Sequence, residues 1–235
     1  MNTRTFVFAF CLIVTAAARC KLAASDADGA LNGQTIFARM EHANATRAEA
    51  LAGYHVTRRY SVFEPGHPAD AELVVGMEFE APSTKTFRTI ETRGVGWIER
   101  RVFRGLIAAE TETATGHKHH DSDLTAANYE PTLIGTEQRD GRDYYLVAVQ
   151  PKRADKYLFR GRVWIDKEDF GIARIEGEPA RSPSFWIVRA PFVREYQRID
   201  GFWLPLQDET HTNVRLAGEY VMRIQYVDYQ ITHRE

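Results

Sequence analysis

From Tyr54 to the C-terminus the apolar residues recur at every second position, in run after run, and that period restricts this part of the chain to β-sheet. Leu73, Val75, Met77 and Phe79 alternate with Glu72, Val74, Gly76, Glu78 and Glu80. Tyr220, Met222, Ile224 and Tyr226 share one face of a last strand, with Glu219, Arg223 and Gln225 on the other. Asp200-Gly201, between the β-rich runs 193–199 and 202–204, is the dipeptide of a tight hairpin. Further β-rich runs cover residues 55–63, 86–92, 144–149, 158–165, 172–175 and 185–190. No strand–helix–strand alternation intervenes, so the sheet is expected to be antiparallel, in a sandwich or a barrel. Helical spacing occurs before it, in Ile36, Phe37, Met40 and Ala43, and continues to a stop at Gly53. Residues 97–110 are ambiguous, because Val102, Phe103, Leu106 and Ile107 would share a helical face.

The first residues are expected to lie outside this fold. A short polar start with Arg4 precedes the uninterrupted apolar run 6–14 and the small residues Ala16, Ala17 and Ala18. That is the order of a secretory signal peptide, residues 1–18, and the run is too short for a permanent membrane span. Residues 19–33 read as a flexible lead and 34–235 as a single domain. Cys20 allows a lipoprotein, but Arg19 stands where a small residue is usual, so a soluble periplasmic protein is favoured. With Cys11 in the apolar run, the exported chain has at most one thiol and no internal disulfide. No later segment is apolar enough for an integral span. Thirty Lys and Arg against 32 Asp and Glu give a net charge of −2, without the basic excess of a nucleic-acid binder.

Several strands carry aromatics on both faces, such as Tyr144 with Tyr145 and Phe185 with Trp186. A strand apolar on both sides needs a second cover, from a helix, another sheet or a ligand. Either these aromatics pack on each other, or they wall an apolar cavity beneath a helix. The candidate wall residues are Met77, Phe79, Trp164, Trp186, Trp203, Tyr220, Met222 and Tyr226, chosen for clean alternation or for size and rigidity.

Five stretches taken in order carry a family resemblance. They are residues 128–135 (NYEPTLIG), 149–153 (VQPKR), 156–166 (KYLFRGRVWID), 201–205 (GFWLP) and 224–229 (IQYVDY). Over roughly residues 33–232 the chain resembles the outer-membrane lipoprotein-sorting, LolA-like, proteins. The resemblance implies a mainly β (α+β) fold, with a strongly curved antiparallel sheet forming an incomplete barrel. N-terminal and mid-chain helices would close it over an apolar cavity. It also implies a carrier for a lipid or a lipoprotein acyl chain, or alternatively a non-catalytic envelope sensor or interaction module with envelope protein partners. None of these tasks requires an enzyme, a metal or a cofactor. The polar insert at 111–127 has no counterpart in the pattern.

Other chemistry is thinly represented. His117, His119, His120, Asp121 and Asp123 form the one dense ligand-like cluster, but their spacing fits no helical metal site and their neighbours are those of a solvated loop. Ser182 and Ser184 lie in no nucleophile elbow. Asp166, Glu168 and Asp169 read as turn formers. Arg58-Arg59 and Arg100-Arg101 read as solvated edge charges, and Arg160 with Arg162 as possible partners of a lipid head group.

Overall fold

The computed structural model describes residues 31–69, 71–94, 96, 123–182, 184–216 and 218–234. The signal peptide, the lead up to residue 30 with Cys20, the ambiguous segment 97–110 and the histidines of the 117–120 cluster lie outside the described residues; the last residues expected in the lead, Asn32 and Gly33, instead cap and open the helix. A closure by mid-chain helices therefore has no described counterpart.

One helix opens the fold, α1 (Gly33–Ala50). Asn32 caps it, its side chain accepting from the Thr35 backbone N–H at 2.9 Å. Ile36, Phe37 and Met40, at the expected spacing, are its buried stripe. Arg47 stands in its last turn, where a cation suits the exposed carbonyls. The chain then passes directly into β1 (Leu51–Phe63). Gly53, expected to stop the helix, is instead inside this strand, where it faces the Phe79 carbonyl of the neighbouring strand too closely for a Cβ.

The remaining strands are β2 (Ala71–Glu80), β3 (Thr84–Arg93), β4 (Tyr129–Arg139), β5 (Arg142–Pro151), β6 (Phe159–Asp166), β7 (Ile172–Pro179), β8 (Ile187–Arg189), β9 (Phe192–Ile199), β10 (Phe202–Val214) and β11 (Gly218–His233). They form one eleven-stranded sheet in the order β3-β2-β1-β11-β10-β9-β7-β6-β5-β4, with β8 paired to β10. Every pairing is antiparallel. The path has two ends, β3 and β4, so the sheet is open among the described residues. Bulges interrupt the register on β1–β11, β2–β3, β4–β5, β6–β7 and β9–β10, and each bends the sheet locally. Asp200 and Gly201 both take positive φ, 49° and 85°, as a two-residue hairpin demands.

The principal core lies between α1 and β4–β7. Ile36, Phe37 and Met40 pack with Tyr129, Val147, Val149, Val163, Ile165 and Ile175. No residue of α1 belongs to the clusters built by β1, β2 and β11. Phe37 is fully buried in this core, so Phe37→Ala should cost about 3–5 kcal/mol of unfolding free energy in urea titrations. A cost below about 1 kcal/mol would mean that α1 does not anchor the sheet.

Candidate functional site

The register carries one face of the sheet from end to end. Residues paired across strands point to the same side, as do alternate residues along one strand. Met77 pairs with Val56, and Arg58, two positions on, with Tyr226. Ile224 pairs with Asp208, Asp208 with Arg194, Arg194 with Ile175, and Ile175 with Val163 of the helix-packed core. Met77, Tyr226, Ile224, Met222 and Tyr220 therefore lie on the face that carries α1, but away from α1 itself.

On the β1–β2–β11 side that face is apolar. Val56, Met77 and Tyr226 form a buried cluster with Tyr54, Phe79, Phe87, Ile224 and Tyr229 packed against it. Tyr54 contacts both Phe79 and Tyr229, with ring centroids 5.1 and 5.6 Å apart. Phe79 also lines a cleft of about 590 Å³ with Tyr54, His55, Glu78 and Gln230.

A polar row crosses the middle of the same face. Arg58 is 2% exposed, and its guanidinium lies over the rings of Tyr226 and Phe87, 4.9 and 5.5 Å from their centroids. The Tyr226 hydroxyl donates to Asp208 Oδ2 at 3.0 Å, and Arg194 Nε donates to Asp208 Oδ1 at 2.7 Å. The Arg194 side chain is 46% exposed. Burial, the largest influence on its pKa, would lower it, but Asp208, Tyr196 and Tyr226 together raise it overall. Tyr196, two residues along β9 and only partly buried, has its pKa pushed up by the same enclosure. The half-buried Phe87, Phe192, Met222 and Ile224 share this inner face.

The other proposed wall residues lie elsewhere. Trp164 alternates with the core residues Val163 and Ile165 and so faces away from α1. Its indole donates to Glu137 Oε2 at 2.9 Å, with Arg162 and Arg174 5.4 and 5.6 Å from the ring. Trp203 donates to Asp169 in the β6–β7 turn at 2.9 Å and covers Gly171, where a Cβ would overlap the indole. Trp186 is exposed, edge-on to Phe185, and the expected strand there is reduced to the three residues of β8.

Two arginine expectations are corrected. Arg59 is exposed as expected, but Arg58 is buried, because β1 lies between β2 and β11 rather than at an edge. Arg160 and Arg162 are on the face opposite α1. There they pair with Glu178 at 2.9 Å and Glu176 at 2.6 Å, lining a charged cleft of about 620 Å³. The polar row Arg58–Tyr226–Asp208–Arg194 escaped the sequence reading. The one signal for it was a charged residue at apolar-phase positions in two strands, Arg58 in β1 and Asp208 in β10. Among the described residues no group of three or more His, Cys, Asp or Glu could hold a metal ion, and no helix is long and apolar enough to cross a membrane.

A family model described as "uncharacterized protein" matches residues 108–235, more than half of the chain. The chain belongs to that family. No curated protein matches the sequence. Among solved structures the chain is similar to a LolA superfamily protein from Nitrosomonas europaea, with 13% identity, 88% of this chain and 96% of that one covered, and a TM-score of 0.40. It is also similar to a DUF1329 family protein from Desulfovibrio piger, with 12% identity, coverages of 85% and 92%, and a TM-score of 0.42. A third similarity is to a domain from Vibrio parahaemolyticus described as outer membrane lipoprotein-sorting, with 11% identity, coverages of 83% and 92%, and a TM-score of 0.42.

The β6–β7 turn fixes the helix relative to this site. Asp166 accepts from Arg142 Nε at 2.7 Å and from the Glu168 and Asp169 backbone N–H groups at 2.9 and 3.1 Å. Asp169 in turn receives Trp203, Arg198 and, at its carbonyl, Arg47 of α1. Burial, the largest influence, would raise the Asp166 pKa, but the combined donors hold it below the usual carboxylate range. A depressed folded-state pKa contributes stability above the unfolded value, near 3.9, and that contribution disappears as pH falls through the folded value. Asp166→Asn should therefore lose about 2–3 kcal/mol at neutral pH. Its deficit against the parent protein should shrink below about pH 4. A pH-independent deficit in urea titrations would contradict this.

Proposed function

We propose that the chain is an exported, non-enzymatic carrier that holds the acyl chain of a lipid or lipoprotein in a hollow on the helix-bearing face of its sheet. The observation that carries this reading is that the inner face runs on past α1, the one described helix, with half-buried apolar side chains in phase with Arg194, itself 46% exposed. Around it the inner face offers Phe87, Phe192, Met222 and Ile224, with Met77, Phe79, Tyr220 and Tyr226 behind or beside them. Rigid rings and a thioether give wide apolar contact at small entropic cost. The sequence resemblance to lipoprotein-sorting proteins supplies the cargo class.

The energetics suit a carrier. Each buried methylene contributes about 0.8 kcal/mol, so twelve of them give roughly 10 kcal/mol before the cost of ordering the chain. That is enough to hold a tail and still release it. No proton transfer, nucleophile or metal is required. The N-terminal order of residues 1–18, read from the sequence as a signal peptide, supports a periplasmic site for this work.

Protein purified without detergent should carry lipid visible by native mass spectrometry and should enhance the emission of a long-chain fluorescent fatty acid. Met222→Glu sets a carboxylate against the tail and should weaken that probe by about tenfold or more, with little change in melting temperature because the site is half-exposed. Absence of both copurified lipid and probe binding in the parent protein would end the carrier reading.

A further inference from the structure

At one end of β10 the fold presents a tip that the hollow does not explain. The segment before β8 and the β10–β11 turn are tied side by side. The Arg215 backbone N–H donates to the Trp186 carbonyl at 2.8 Å, and Arg215 Nε to the Phe185 carbonyl at 3.0 Å. Val214 pairs with Ile187, and Asn213 with Arg189. Ser182 Oγ closes the segment by donating to the Ile187 carbonyl at 2.6 Å. These bonds fix four large apolar side chains in water: Phe185 is 74% exposed, Trp186 58%, Val188 50%, and Leu216 fully exposed.

Scattered exposed hydrophobics are ordinary, but a cluster of this kind marks a contact surface. Its composition selects the partner. Phe185 and Trp186 meet edge to face, with centroids 5.5 Å apart, and Arg215 lies 4.8 Å from the Phe185 ring centroid. Among the described residues of 180–189 and 213–219 the charged ones are Arg181, Arg189, Arg215 and Glu219, three cations against one anion. Arg189 is shared with Glu178 at 3.3 Å, which leaves Arg215 against the Phe185 ring and the exposed Arg181 four residues before Phe185 in the chain. Leu216 has φ 65°, a conformation unfavourable for a branched side chain and one a glycine would hold more easily. The turn thus keeps a large apolar residue at its apex against the local backbone preference. Trp and Phe at the water boundary, an aliphatic residue at the apex and arginines behind them match the interface of a bilayer with anionic lipids.

We propose that this tip docks the protein peripherally on an anionic lipid bilayer, with Phe185, Trp186 and Leu216 entering the headgroup region and Arg181 and Arg215 meeting lipid phosphates. The site is separate from the hollow, so it stands or falls independently of the cargo reading.

The test is flotation of the full chain with vesicles of phosphatidylethanolamine and phosphatidylglycerol, compared with vesicles of phosphatidylcholine alone. Parent and variants share the same N-terminus, so differences between them read the tip. The parent should float with the anionic vesicles. F185S/W186S/L216S should lose about tenfold or more in partitioning, and R181Q/R215Q should lose a similar factor on anionic vesicles only. Both variants alter exposed side chains, and unchanged circular dichroism would establish that they fold. Brominated lipid should quench a component of the emission that Trp186→Phe removes. Equal flotation of parent and triple variant would overturn the proposal, as would emission from Trp186 that brominated lipid leaves unquenched. So would a parent that self-associates through the tip in sedimentation, with monomer restored in the triple variant and no vesicle binding.

Discussion

The structure depends on a mismatch of lengths: one eleven-stranded sheet has a continuous inner face, and the one described helix covers only part of it. Ile36, Phe37 and Met40 seal β4–β7. The same face runs on through Arg194, Asp208 and Tyr226 to Met77 without a break in side-chain phase. Bulges bend the strands between these two regions. Beyond α1 the described residues of that face are only half-buried: Arg194 is 46% exposed, and Phe87, Met222 and Ile224 are partly buried. That is the space in which the proposed ligand would lie.

Placing charge in that space has a physical logic. A lone guanidinium on an apolar face would be strongly disfavoured. Here Asp208, itself 9% exposed, accepts from both Arg194 and Tyr226, and Arg58 lies over two aromatic rings. Each charge in the row is met by a fixed partner, and the 46% exposure of Arg194 lowers the desolvation cost that a dry core would impose. The row also links β1, β11, β10 and β9 through side chains as well as backbone. It ties the sheet together where no described helix covers it.

Legibility in the sequence followed the strength of local signals. The helical stripe, the alternation of β2 and β11 and the Asp200-Gly201 hairpin were all readable, because each is decided by residues close in sequence. The Gly53 stop was misjudged because glycine serves two ends: it can finish a helix, or it can let the Phe79 carbonyl of an adjacent strand come close. Strand β4 was masked by its polar, exposed residues, as expected of an edge. The wall residues divided by the same logic. Met77, Met222 and Tyr226, chosen by alternation, share the inner face. Trp164, Trp186 and Trp203, chosen by size, do not lie with them, because size does not say which way a side chain points. Arg58 was read as an edge charge because the placement of β1 between β2 and β11 is a long-range fact, invisible in the residues around it.

The two sides of the sheet divide the physical work. On the outer face Arg162, Arg174 and Arg139 alternate with Glu176 and Glu195 in an ion-pair ladder across β4, β6, β7 and β9. Such exposed pairs add little stability singly, but each carboxylate of the ladder meets two guanidiniums, Glu176 those of Arg162 and Arg174 and Glu195 those of Arg139 and Arg174. The turn at Asp166 and Asp169 then clamps α1 to this framework through Arg47 and Trp203. A stiff frame of this sort holds the inner face in its apolar phase, since a one-residue slip would turn every apolar side chain outward. The inner face is therefore a product of the outer face as much as of its own residues.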